Sequence, residues 1–226
     1  MHKICPFYQH TSTDLAKAQV EQIEKDKAKA AIDKAAEEAN ALIDGLKWDA
    51  TNAKDQAEKA KAQAAIQNDV DQAKQKIQNG SLAEVPGNRD EGIAQIQRDA
   101  AKAAIDKAVA EAQDKLAKDS NIPDGDKSKA EAAINDAGKQ ANEKIDGQTD
   151  KDAINDAKKN GLNDVQEASQ AAAENGQKKA DPKQAVKDAA DKANEYIDQL
   201  KLNEEDQAKA KGNITNDVNK AMRTLT

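Results

Sequence analysis

Aromatic side chains are nearly missing from this chain: one Trp, one Phe and two Tyr make up 2% of 226 residues. A core without rings must be built from aliphatic groups, and these are scarce as well. Leu, Ile, Val and Phe together number 32, about 14%, under the ~20% mark at which a charged chain becomes a candidate for disorder. That excludes a thick globular core. The single cysteine, Cys5, excludes an internal disulfide. Continuous apolar stretches run for only a few residues, which excludes a helix that spans a bilayer. The start, Met1-His2-Lys3-Ile4-Cys5-Pro6-Phe7, lacks an apolar run and a small-residue cleavage site, so it is no recognisable secretory signal. On that reading the chain is intracellular or a fragment. A basic stripe is missing too: 35 Lys and Arg stand against 42 Asp and Glu, net −7 with pI near 5.1. Phosphate backbones require clustered cations, so nucleic acid is not expected as a partner.

What remains is mostly Ala, Lys, Glu, Gln and Asp, and most of these favour helix when summed over windows of about 15 residues. The sequence also repeats. Lys29-Ala30-Ala31-Ile32-Asp33-Lys34-Ala35 returns 73 positions later as Lys102-Ala103-Ala104-Ile105-Asp106-Lys107-Ala108, and Val20, Ile23 and Ile43 map onto Ile93, Ile96 and Leu116 at the same shift. A looser third copy places Val186 and Ile197 81 positions beyond Ile105 and Leu116. Self-similarity at this period marks an array of supersecondary units.

Within each unit, large aliphatic residues pair at a spacing of eleven: Ile32 with Ile43, Ile66 with Ile77, Ile105 with Leu116, Ile134 with Ile145, Val186 with Ile197, Ile214 with Leu225. Eleven residues are close to three helical turns, so each pair lies on one stripe, with alanine between its members. This predicts amphipathic helices with few anchors, each worth about 1.5–3 kcal/mol when buried. Thr11 to Asp14 and Asn203 are expected as N-terminal caps, and Asp181-Pro182 as a cap followed by a first-turn proline. Gly45, Asn79-Gly80, Pro86-Gly87-Asn88, the run Ser120 to Gly125 and Gly147-Gln148-Thr149 are expected as breaks. Leu82 to Val85 and Ala153-Ile154 are expected as short elements of their own. A 12-residue excess in the third copy is placed around Glu167 to Gln177. The resulting organisation is a non-repeat leader over 1–13 and helical repeats over 14–88, 89–160 and 161–226. The fold class is all-α, as tandem three-helix bundles in a spectrin-like rod.

The Lys-Ala-Ala-Ile-Asp-Lys-Ala blocks, the turn Leu202-Asn203-Glu204-Glu205-Asp206 and the segment Ala153-Ile154-Asn155-Asp156-Ala157-Lys158-Lys159-Asn160-Gly161 carry a resemblance. Together they resemble the DUF1542 repeats of large Gram-positive cell-surface, adhesin-like proteins, over about residues 15 to 226. The resemblance implies a stalk of helical bundles, an extracellular, cell-wall-associated location, and a monomer within a longer chain. It names no catalytic residue. Trp48 and the longer segment between Ile43 and Ile66 depart from the pattern of the other copies.

Chemistry is hard to find in these residues. His2, Cys5 and His10 sit in the leader and make a weak metal-ligand set. Asp124-Gly125-Asp126 with Glu131 suggests a calcium loop, but Ser120 and Ile122 would occupy its first and third ligand positions, which need oxygen donors with charge. A solvated turn capping the next helix is the reading adopted. There is no phosphate-binding glycine loop. Carboxylates alternate with lysines at helical spacing, as in surface ion pairs. Trp48, Leu46 and Tyr196 are the residues available to mark a ligand contact, although Trp48, after Leu42 and Ile43, suits a plug over the bundle end. The sequence therefore reads as a non-enzymatic structural spacer of a bacterial surface protein, possessing no catalytic, cofactor or metal site and no membrane insertion. The alternatives are a three-helix module that binds a host serum or matrix protein, and a late-embryogenesis-abundant-like stress protein that is disordered until dried.

Overall fold

The computed structural model describes residues 6–200 and 202–225, with side chains described for these apart from 6–13 and 176–181. Met1 to Cys5, and the His10 side chain, therefore lie outside the described residues. Among the described residues the secondary structure is helical, with no strand: α1 Pro6–Asp44, α2 Ala53–Asn79, α3 Val85–Lys118, α4 Asp124–Asp146, α5 Lys151–Gln199 and α6 Glu204–Thr224. The chain is all-α, as expected from its composition. It divides into two compact units. One consists of Met1–Ala108 with Gly138–Asn163, the other of Val109–Ala137 with Asp164–Thr226. The expected repeat boundaries at 88/89 and 160/161 fall inside α3 and α5.

The first unit holds an apolar cluster drawn from α1, α2 and α3. Ile32, Ile43, Ile66, Ile77 and Ile96 are fully buried there, with Ala28, Ala35, Ala39, Val70, Ala73, Val85 and Ala100 among them. Alanine between the isoleucines lets helices approach closely. Two glycines carry that approach furthest. A Cβ on Gly92 would stand 2.5 Å from the Ala73 Cβ and 2.8 Å from the Ile32 Cδ1, and one on Gly161 would stand 2.4 Å from the Ala141 Cβ and 3.0 Å from the Ile105 Cδ1. A mid-helix glycine ordinarily costs about 1 kcal/mol relative to alanine; here the loss is offset by contact.

Polar contacts recur beside these triplets. Lys25 Nζ donates to the Gln78 carbonyl at 3.0 Å, and Arg98, 73 residues on, donates to the Gln148 carbonyl at 2.8 Å. A cation thus meets backbone acceptors near the carboxyl ends of α2 and α4, where the helix dipole favours it. Lys74 pairs with Asp33 at 2.5 Å, and Asn142 donates to Asp106 at 2.9 Å.

The second unit buries Ala112, Leu116, Ile122, Ile134, Val165, Ala172 and Ile197. Within it, α6 has no buried residue. The eleven-residue pairs of α1, α2, α3 and α4 are buried throughout, whereas Val186, Ile214 and Leu225 are only half-buried.

Several expected breaks hold. The Gly45 N–H closes α1 on the Ala41 carbonyl at 3.0 Å, Gly80 caps α2, α4 ends at Asp146 before Gly147, and the Asn203 side chain accepts from the Asp206 N–H at 2.9 Å to open α6. Others are corrected. Helix α1 begins at Pro6, so Thr11, Ser12, Thr13 and Asp14 lie within it; no glycine or proline follows Pro6 until Gly45, and proline suits a first turn. Pro86-Gly87-Asn88 belongs to the start of α3, because Glu84 reaches back over the turn just ahead of it: the Ser81 N–H and Oγ both donate to Glu84 Oε2 at 2.8 Å, and the Ser81 carbonyl accepts from Glu84 and Val85. Leu82 to Glu84 is thus a turn into α3. Ala153-Ile154 is likewise the opening of α5, where the Asp150 carboxylate accepts from the Ala153 N–H at 2.9 Å. Asp124-Gly125 opens α4 over the Pro123 carbonyl, which accepts from Asp126 and Lys127, both at 2.9 Å. Asp181-Pro182 is not a helix start, because α5 runs through it. Helix-forming residues on both sides outweigh the roughly 3 kcal/mol a proline costs in a helix interior. The segment from Glu167 to Gln177 is helical, part of α5.

Candidate functional site

An open groove of about 470 Å³ lies in the second unit between α4 and α5. Ala130 and Ala133 face Ala168, Ala171 and Ala172 across it, with Ile122 at one end and Asp126, Lys129 and Asn175 as its polar groups. Small side chains on both walls leave the space unfilled. Its α5 wall comes from the segment between Glu167 and Gln177. The volume suits a small ligand, but such sites ordinarily have aromatic walls and convergent polar groups, and this one is lined chiefly by methyl groups.

A second feature is a pair of carboxylates. Asp69 on α2 faces Asp99 on α3, and burial first, then the charge and hydrogen bonding of Asp99, push Asp69 up to about 6; Lys102 and Arg98 pull it the other way. Asp69 Oδ2 is buried without a hydrogen-bond donor. Asp99 is better served: Gln95 Nε2 donates to it at 3.0 Å, and Lys102 Nζ stands 3.6 Å away while pairing with Asp146 at 2.8 Å. Two acids that share a proton are a known catalytic arrangement. Here they lie between helices of one bundle and act on its stability. Sequence reasoning passed over them, although Asp69 precedes the stripe residue Val70 and Asp99 precedes Ala100.

The third feature is the end of the α1–α3 bundle. Trp48 packs on the apolar cluster, and its Nε1 donates to the Ile43 carbonyl at 2.7 Å. The Lys107 Nζ sits 5.1 Å from the ring centroid and 2.6 Å from Asp55 Oδ2. Asp55 in turn accepts from the Asp49 N–H at 2.8 Å, and that bond, followed by Lys107, holds its carboxyl below the usual range. The ring's polar handle is used internally, which fits the plug expected from the sequence. Leu46 is half-buried beside it, whereas Tyr196 on α5 is 62% exposed.

The proposed calcium-loop residues Asp124, Gly125, Asp126 and Glu131 lie on α4, where a helix replaces the loop such a site requires. Among the described residues, no three His, Cys, Asp or Glu side chains gather as metal ligands would. Nor is any described helix long and apolar enough to cross a membrane.

Fold and features together define a chain whose described residues are all-helical, held by aliphatic and alanine packing between helices. Compared with known proteins, it matches no protein-family model, no curated protein and no solved structure.

Proposed function

We propose that this chain is a non-enzymatic spacer built of tandem three-helix repeats. In this reading α1, α2 and the first part of α3 make one repeat. The rest of α3 with α4 and the first part of α5 makes the next, and the rest of α5 with α6 belongs to a third. The observation that carries it is the recurrence of one packing triplet, Ile32–Ala73–Gly92 and Ile105–Ala141–Gly161, with the same residue types in the same order. The caps Ser81 and Asp150, which precede α3 and α5 at the shift of 69 that also relates Gly92 to Gly161, support it. So do the matched contacts Lys25–Gln78 and Arg98–Gln148.

The mechanism is geometric. Helices shared between successive repeats convert chain length into reach, and alternating surface charge keeps the exterior soluble and non-adhesive. Following the resemblance to DUF1542 repeats, the setting is the Gram-positive cell surface, where such a rod holds another part of a longer chain away from the wall. Small-angle scattering tests this. Three repeats of about 40 Å each give a rod near 120 Å, whose radius of gyration is about twice the ~17 Å of a compact chain of this length. A value near the compact one overturns the proposal.

The exposed Tyr196, Leu200 and Leu202 on and after α5 favour a second reading, a module that binds a host serum or matrix protein. Pull-down from serum with the intact chain checks it, and a specifically retained protein whose capture is lost in Tyr196→Ala is the expected result.

A further inference from the structure

A lysine of α3 is shared between acids that belong to two other parts of the first unit. Lys102 Nζ holds Asp146, at the carboxyl end of α4, at 2.8 Å, and stands 3.6 Å from Asp99 on its own helix. Asp99 in turn faces Asp69 on α2, whose Oδ2 is buried without a hydrogen-bond donor. The charges acting on Asp69 come from α3: Asp99, Lys102 and Arg98. Arg98 is committed elsewhere, donating to Gln95 Oε1 at 2.6 Å and to the Gln148 carbonyl at 2.8 Å. Between α1 and α2 the charges are matched, Lys74 with Asp33 at 2.5 Å and Lys59 with Asp44 at 2.8 Å. Lys102 is the cation placed to answer a change at Asp69.

We propose that Lys102 is a proton-controlled latch, which holds Asp146 and the end of α4 while Asp69 is protonated and turns to the Asp69–Asp99 pair when Asp69 is ionised. In the protonated state the Asp69 O–H donates to Asp99, the pair carries one negative charge, and Lys102 stays on Asp146. Loss of the proton puts two negative charges and an undonated oxygen side by side. Lys102 then stands within about 1 Å of charge-assisted bonding distance, on a flexible stem with three N–H donors. The side chains of Asp99 and Lys102 are 20% and 28% exposed, whereas Asp146 is 57% exposed, so water screens the Asp146 contact more. The cation therefore moves inward, and α4 loses a tie at its last turn. Asp69 changes state at about pH 6, so the latch is closed at acid pH and open above neutrality. The switch uses contacts of α2, α3 and α4 within the first unit, and it does not rest on the spacer reading.

Carbon-detected NMR of the intact chain from about pH 5 to about pH 7.5 tests the latch. The expected result is that the Lys102 Cε and Asp146 Cγ resonances both show an inflection near the one that Asp69 shows, and that Asp69→Asn removes it from both. Histidines ordinarily titrate in the same range, and the Asp69→Asn comparison separates their effect from that of Asp69. Hydrogen exchange, corrected for intrinsic rate, gives a second readout: amides 143–148 open about two- to fivefold more often at the upper pH than at the lower. In Asp69→Asn the two pH values give equal protection, and in Lys102→Gln the segment is open at both; circular dichroism verifies that each variant is folded. Resonances of Lys102 and Asp146 that stay flat while Asp69 titrates overturn the latch. So does an inflection that persists in Asp69→Asn.

Discussion

Gly92 and Gly161 set how closely the helices of the first unit meet. Alanine improves helix propensity by about 1 kcal/mol at either position, but its methyl would meet the Ala73 or Ala141 Cβ at 2.5 or 2.4 Å. Overpacking of that kind costs about 1–3 kcal/mol. The alanine Cβ atoms are fixed to the backbone, so they cannot swing aside. Gly92→Ala and Gly161→Ala are therefore expected to lower the urea midpoint. Asp69 supplies a pH dependence of opposite sense to the usual carboxylate. Its value rises from 3.8 when unfolded to about 6 in the fold, so the folded chain binds the extra proton between these values. Stability contributed by that proton is present at acid pH and is lost as pH rises toward 6 and above. Asp69→Asn is expected to stabilise by about 1 kcal/mol at pH 7, after allowance for solvent screening, and the gain should vanish near pH 4. Urea denaturation of both proteins at the two pH values measures it. Neither effect is visible in the sequence alone, where Gly92 reads as a helix weakness and Asp69 as one more surface acid.

At the scale of elements, the caps explain both the successes and the corrections. Asn203, Gly45 and Gly147 announce their helix ends because their side chain, or lack of one, acts within one turn of chain. Ser81 and Glu84 have the spacing of a helix-start signal, and Pro86-Gly87 follows them at the start of α3. Proline costs nothing in a first turn, so α3 accepts it there. Pro182 is the opposite case, inside α5, because whether a helix survives an internal proline depends on the stability of its flanks. Gly212 on α6 is the element-scale contrast to Gly92: a Cβ there would meet nothing within 4 Å. Gly212→Ala is expected to raise stability by about 0.5–1 kcal/mol, seen as a higher helical signal and midpoint in thermal circular dichroism. The same substitution thus has opposite signs on two helices.

Across the whole molecule, burial is unevenly distributed. The first unit closes a cluster of fully buried isoleucines around α1, α2 and α3, whereas α6 buries no residue and Val186 on α5 is only half-buried. Local opening follows such differences in buried apolar contact. At low micromolar concentration, amides of α6 and of α5 beyond residue 182 are expected to exchange at least about tenfold faster than those of α2, a local stability gap of ~1.4 kcal/mol. Hydrogen exchange with mass spectrometry reads this directly. Equal protection of the two regions would show that α6 has a partner that exposure alone does not reveal.

The sequence by itself determined the helical class, the positions of most helix ends and the rows of isoleucine at eleven-residue spacing, because these follow from interactions within a few turns of chain. It also carried the period, since repeated residues need no coordinates to be compared. Only the tertiary structure decided which of those rows are covered. Ile96 and Ile23 sit in nearly the same sequence, yet one is fully buried and the other is more than half exposed. Burial belongs to whatever lies across the contact, and neighbours brought together from distant parts of the chain are a property of packing, which no local pattern of residues specifies.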